Sequence, residues 1–172
     1  TIIKQLPELK GMVLIGNRNS NSLSYLELAK KVSVLLTDRI KTERMTCKEV
    51  VEAGRYPHTG RFGFLSKSDH NAVGDAMKIT GTTNLADYDF MQVSDGQRQR
   101  ILFARAIAQE PEMMILDEPT SFLDARYKLE MLSVLRYLAH ERGITIIMTM
   151  HELDLAERIS DEVMCVKGDY IY

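Results

Sequence analysis

Three short runs of apolar residues stand out along the chain: VSVLL from Val32, MMIL from Met113 and ITIIMTM from Ile144. Runs of this length, bounded by polar or turn residues, read as buried strands of a parallel sheet rather than as half-exposed alternating strands. Upstream, ELKGMVLIGNRN is also strand-like, with Gly11 and Gly16-Asn17 as punctuation. DEVMCV forms one more candidate strand, with Lys167-Gly168-Asp169 turning into YIY. Between the strands the pattern switches to a helical period. RQRILFARAIAQE sets Ile101, Leu102, Ala104 and Ala108 on one stripe with arginines opposite, and SLSYLELAKK opens on Ser22 or Ser24. ARYKLEMLSVLRYLAHERG repeats leucine at 129, 132, 135 and 138 and is closed by Gly143. Strand, helix, strand, helix, strand in this order predicts an α/β class.

From Glu43 to about Phe90 the pattern is helical and more polar. Thr46 and Glu49 form a capping box before VVEAG, and Ser66-x-x-Asp69 caps a helix with Ala72, Val73, Ala76 and Met77 on one face. Gly54-Arg55-Tyr56-Pro57-His58 ends the first of these helices. His58 and His70 have no cysteine or carboxylate cluster at ligand spacing, so they read as surface histidines rather than metal ligands.

Composition narrows the class without changing this picture. The chain has 172 residues, enough for one domain with a real core, and 45% are hydrophobic. A net charge of −2 gives no basic field for nucleic acid. No apolar run approaches bilayer length. Cys47 and Cys165 are far apart in sequence, which reads as free thiols of a reducing compartment.

Two places carry candidate chemistry. Ser94-Asp95-Gly96-Gln97 is a polar turn leading into a helix; Ser94 is a good N-cap, and the exposed N–H groups and positive dipole end would suit an anion such as phosphate. The run MMIL ends in Asp117 and Glu118 and is broken by Pro119, which delivers two carboxylates to the carboxyl end of a strand, where open α/β sheets bind ligands. Such a pair can equally be ordinary surface acids. Asp95 is unfavourable beside a phosphate unless its side chain points away or caps the helix.

Taken together, VSDGQ, MMILDEPT, Ser121-Phe122-Leu123-Asp124 and His151 after ITIIMTM resemble, in order and at the usual separations, the signature, Walker B, D-loop and switch histidine of the ATP-binding-cassette (ABC) ATPases. The resemblance covers nearly the whole chain. It implies a P-loop NTPase (RecA-like) core, a parallel sheet flanked by helices, with an inserted helical subdomain. The division expected is a partial core at 1–42, the helical subdomain at 43–92, and the signature helix to the C-terminal core at 93–172. GRYPH is similar to the subfamily that powers import of iron–siderophore, haem and vitamin B12 complexes.

The resemblance also implies roles. Asp117 would bind magnesium, Glu118 would be the general base, and His151 would sense the γ-phosphate of ATP. Ser94, Gly96 and Gln97 would touch ATP held by the opposite subunit of a head-to-tail dimer, with Asp124 linking the two sites. Thr37 occupies the position of the family's Q-loop glutamine; its hydroxyl could reach a metal or water, and a plain strand-end threonine fits as well. Thr1 to Leu6 resembles the helix after a P-loop, with Thr1 near the nucleotide. No glycine-rich Walker A loop precedes Lys4, so the reading is of a chain beginning within or after that motif, inactive alone and liable to leave strand edges exposed. The partners implied are membrane permease subunits docked on the helical subdomain, a second ATPase subunit and, indirectly, a periplasmic or surface substrate-binding protein, with no nucleic acid. The location implied is the cytoplasmic face of the membrane. A soluble ABC ATPase outside transport, or a non-catalytic binding module, is the alternative.

Overall fold

The computed structural model describes residues 11–36, 44–60, 62–167 and 170–171. The first described elements form a hairpin of β1 (Leu14–Ile15) and β2 (Arg18–Asn19). Its turn residues Gly16 and Asn17 both have positive φ, at 54° and 61°, as a tight two-residue hairpin turn requires. Helix α1 (Tyr25–Lys31) starts at Ser24, whose side chain accepts from Glu27 N–H while the Glu27 carboxylate accepts from Ser24 N–H. It runs directly into β3 (Val32–Leu35).

Strand β3 pairs in parallel with β4 (Met113–Asp117), and β4 pairs in parallel with β5 (Thr145–Thr149), giving a three-stranded sheet in the order β3–β4–β5 among the described residues. Alternate residues of β4 enter different cores, as the pleat dictates. Met114 and Leu116 join the main core with Ile101, Phe103, Leu132, Leu135 and Leu138. Met113 and Ile115 pack against the smaller cluster of Ile15, Leu23, Leu28 and Val32. The central strand is therefore covered on both faces, which is why its sequence shows no polar alternation.

Helices α2 (Cys47–Glu52) and α3 (Lys67–Ile79) both begin in capping boxes, at Thr46/Glu49 and Ser66/Asp69, and both pack on α4 (Asp95–Ala108). The main core runs unbroken from Val50, Val73 and Met77 through α4 to the sheet. The GRYPH string fastens this packing. Gly54 lies so close to α4 that a Cβ there would sit 2.3 Å from the Arg105 carbonyl oxygen. Arg55 is buried; its Nε donates to Asp69 Oδ1 at 2.8 Å, and its Nη1 reaches the Ala108 carbonyl at 2.6 Å and Glu110 Oε2 at 2.7 Å. His58 Nε2 lies 2.8 Å from the Gln109 carbonyl. A guanidinium and an imidazole thus meet carbonyls that the end of α4 leaves without helical partners.

Three expectations need correction. First, β5 is not buried on both faces: Thr145, Ile147 and Thr149 face outward, with Ile147 40% exposed. Second, in α5 (Ala125–His140) the buried set is Met131, Leu132, Leu135 and Leu138, and Leu129 is 59% exposed. A three-residue repeat falls about 60° short of a full turn at each step. By Leu138 the repeat has therefore drifted to the opposite side of the helix from Leu129. Third, DEVMCV is not a strand along its length. After α6 (Leu153–Ile159), pairing starts only at β6 (Val166–Lys167), which meets β7 (Tyr170–Ile171) in an antiparallel pair. Val163, Met164 and Val166 are exposed. Cys47 is buried and Cys165 exposed, and both are free thiols. Among the described residues, no helix is long and apolar enough to cross a membrane.

Candidate active site at the carboxyl end of the central strand

The parallel register that builds the sheet also assembles the site. Asp117, the last residue of β4, pairs with Thr149, the last residue of β5. Glu118 follows with φ 45°, a left-handed backbone that a residue with a Cβ adopts only when its surroundings impose it. The impositions are visible. Glu118 N–H donates to Thr149 Oγ1 at 3.0 Å, and Ser121 closes the turn with its N–H on the Glu118 carbonyl. Ser121 Oγ donates to Glu118 Oε2 at 3.0 Å, and His151 Nε2 lies 2.5 Å from Glu118 Oε1. Both oxygens of the Glu118 carboxylate are thus engaged, while the His151 side chain is 83% exposed.

The signature turn lies against the same segment. Helix α4 is capped by Ser94, whose Oγ accepts from Gln97 N–H at 3.2 Å while Gln97 Oε1 accepts from Ser94 N–H at 2.9 Å. The two side chains therefore serve each other's backbone. Asp95 is turned onto Arg98, which donates to its Oδ1 at 2.7 Å; its charge is met by a cation rather than aimed along the helix axis. A Cβ on Gly96 would lie 3.1 Å from the Phe122 carbonyl oxygen, so the glycine permits close approach of this turn to the loop after β4. Farther along the helix, the buried amide of Gln99 donates to the Pro119 carbonyl at 3.1 Å. Asp124 caps α5, accepting from Tyr127 N–H at 3.0 Å.

Asp117, Glu118 and His151 are therefore brought together. Ser94, Gly96 and Gln97 form one helix terminus whose glycine meets the backbone of the neighbouring loop, and Asp124 begins the next helix. Thr1 and Thr37 lie outside the described residues. The structure adds Thr149 and Gln99, which sequence pattern does not single out, and gives Ser121 a contact that its place in the D-loop match does not foretell. Thr149 carries a signal, a polar residue late in an apolar strand two places before His151, but only the register reveals what faces it. Of the two histidines expected at the surface, His70 is exposed and lies 3.4 Å from Glu52, whereas His58 is half-buried against a helix-end carbonyl. Among the described residues, no group of three or more histidine, cysteine or acidic side chains is placed to hold a metal. One strand-end carboxylate is nevertheless a fitting donor for magnesium, which completes its shell with waters and phosphate oxygens.

A parallel α/β sheet with carboxylates at the end of its central strand, beside the N-terminus of a buried helix, defines a core of the nucleotide-binding kind. The chain belongs to the ABC transporter family, whose model matches residues 1–121. It is 41% identical over 168 residues to an uncharacterized ABC transporter ATP-binding protein, MJ0873, of Methanocaldococcus jannaschii, spanning 98% of this chain and 58% of that protein. It is 34% identical over 171 residues to the iron(3+)-hydroxamate import ATP-binding protein FhuC of Bacillus subtilis, spanning 97% of this chain and 64% of the relative. The chain thus covers less than two thirds of the length of either protein. A solved dimeric structure of the ATP-binding cassette MJ0796, in a post-hydrolysis state with ADP and Pi, has a TM-score of 0.73 at 26% identity, covering 86% of this chain and 66% of that one.

Proposed function

We propose that these residues belong to the nucleotide-binding subunit of an ABC importer that hydrolyses ATP to drive uptake of an iron complex or a corrinoid. The observation that carries the reading is the cluster at the end of β4: Asp117 and Glu118 side by side, with His151 2.5 Å from the Glu118 carboxylate. The FhuC relative supports an iron complex as cargo.

Magnesium held through Asp117 would neutralise charge on the phosphate oxygens. Glu118 takes the proton of the attacking water, which requires that one of its oxygens exchange its present partner for that water. His151, largely exposed and already at the carboxylate, is the group that can move from Glu118 to a γ-phosphate oxygen. Backbone N–H groups of the signature turn, at the positive end of α4, face the γ-phosphate bound by a second subunit, so the active unit is a head-to-tail dimer. Asp124, at the start of α5, links the two sites.

The residues from 43 to 92 form the face that docks a membrane permease, which places the protein at the cytoplasmic side of the membrane. Tyr56, Phe62 and Phe64 are exposed there, two of them more than 80%. Exposed aromatics close together in the chain suit a protein interface. In the full-length protein, Glu118→Gln should abolish magnesium-dependent hydrolysis while ATP binding survives; normal turnover by that variant would remove Glu118 from the mechanism. Transport assays with a ferric hydroxamate and with a cobalamin distinguish the two cargo classes.

A further inference from the structure

We infer that Thr149 is the positioning residue for the Asp117 carboxylate and the Glu118 backbone, a role that rests on the ATPase reading above. One oxygen atom makes the two bonds. The Glu118 backbone N–H has no lone pair to offer, so at 3.0 Å Thr149 Oγ1 must be the acceptor. Its single hydroxyl hydrogen then goes to Asp117 Oδ1, 2.7 Å away. That direction makes Asp117 Oδ1 the acceptor, so the bond fixes how the carboxyl group is turned at the end of β4. The same atom anchors the N–H of a residue whose φ is 45°. The hydroxyl thus aims the metal-binding carboxylate and holds the base in its strained backbone conformation.

The bond is built into the sheet. Thr149 and Asp117 are register partners at the end of the β4–β5 pairing. Neither apolar packing nor the strand pairing itself needs a hydroxyl at this place, because Thr149 is on the outward face of β5 and outside the main core. Its side chain is spent on the two carboxylate residues, and His151 follows two positions later on the same segment. A shift at the end of β5 therefore moves the switch histidine and the groups that orient its partner together.

The test uses the full-length protein with Thr149→Val and Thr149→Ser, assayed for ATP hydrolysis across a magnesium titration. Thr149→Val keeps the shape and removes both bonds. It should lower kcat by about 10- to 100-fold and raise the magnesium concentration for half-maximal rate, with the ATP affinity measured without magnesium unchanged. Thr149→Ser restores the hydroxyl and should recover most of kcat and the magnesium midpoint. If Thr149→Val does not fold, Thr149→Ser against Thr149→Ala gives the same comparison. Wild-type kcat and magnesium midpoint in the folded Val or Ala variant would overturn the inference while leaving the ATPase reading intact. Failure of the wild-type protein to hydrolyse ATP would overturn the reading and, with it, the inference.

Discussion

His151 Nε2 sits 2.5 Å from Glu118 Oε1, so the two side chains that the family resemblance assigns to catalysis are hydrogen-bonded to each other. The opposite oxygen of the same carboxylate accepts from Ser121. Removing the imidazole by His151→Ala should leave nucleotide affinity within about threefold and reduce hydrolysis by about 100-fold or more, as loss of a positioned hydrogen bond to developing charge does. A rapid-quench hydrolysis assay beside equilibrium ATP binding separates the two effects. A proportionate loss of both would instead identify His151 as a binding residue.

Arg55, itself buried in the turn after α2, ties α3 to the end of α4 through its guanidinium. Arg55→Leu would leave the Asp69 carboxylate buried without its cation, and breaking such a pair costs about 3–5 kcal/mol. Urea unfolding of the full-length protein should show it as a lower midpoint. The exposed ion pair Arg126–Glu130 is the control, where Arg126→Ala should change the midpoint little.

The same cluster sets a pH dependence. The hydroxyl and N–H of Ser66, with Arg55, hold the Asp69 carboxyl well below the usual carboxylate range. A carboxyl whose pKa is lower in the folded than in the unfolded chain contributes stability that is complete above its unfolded value, about 4, and is lost as the pH falls toward the folded value. Asp69→Asn should therefore destabilise the protein at neutral pH and flatten the acid limb of its stability profile, read as the urea midpoint across a descending pH series from neutral.

Gly54→Ala places a methyl 2.3 Å from the Arg105 carbonyl oxygen, a backbone atom that cannot step aside without moving α4. The expected loss is about 1–3 kcal/mol, with a lower Tm. Gly60→Ala, which meets nothing within 4 Å, should be nearly silent in the same melt.

On α5, Leu132→Ala should cost about 2–5 kcal/mol, whereas Leu129→Ser should lie within about 0.5 kcal/mol of wild type. Chemical denaturation decides between the buried-face assignment and the simple leucine repeat.

Much of the fold is legible in the sequence because its signals are local. The capping boxes at Thr46 and Ser66, the Gly16-Asn17 hairpin and the continuous apolar runs of β3 and β4 each depend on residues close together in the chain. What the sequence misleads on depends on distance. The outward face of β5 is set by what packs beside it, not by ITIIMTM itself. Leu129 looks buried because a repeat of three mimics a helical face for two turns and then leaves it. Likewise Asp117, Glu118 and His151 are singled out by their neighbours in sequence, but Thr149, Gln99 and Arg55 act across separations that only the register of β4 and β5 or the packing of α4 reveals. Within GRYPH, Arg55 and His58 grip the end of the signature helix, contacts that the string itself does not announce.

The left-handed backbone at Glu118 has a further consequence. Conformational energetics alone would favour glycine at that position, and the turn would relax around it. A population of this protein selected for heat resistance, with no demand for turnover, should therefore drift at position 118 early. With Glu118 as the proposed base, its survivors would be sturdier and without turnover, and recovering a glutamate there in a stability-blind screen would mark the return of function.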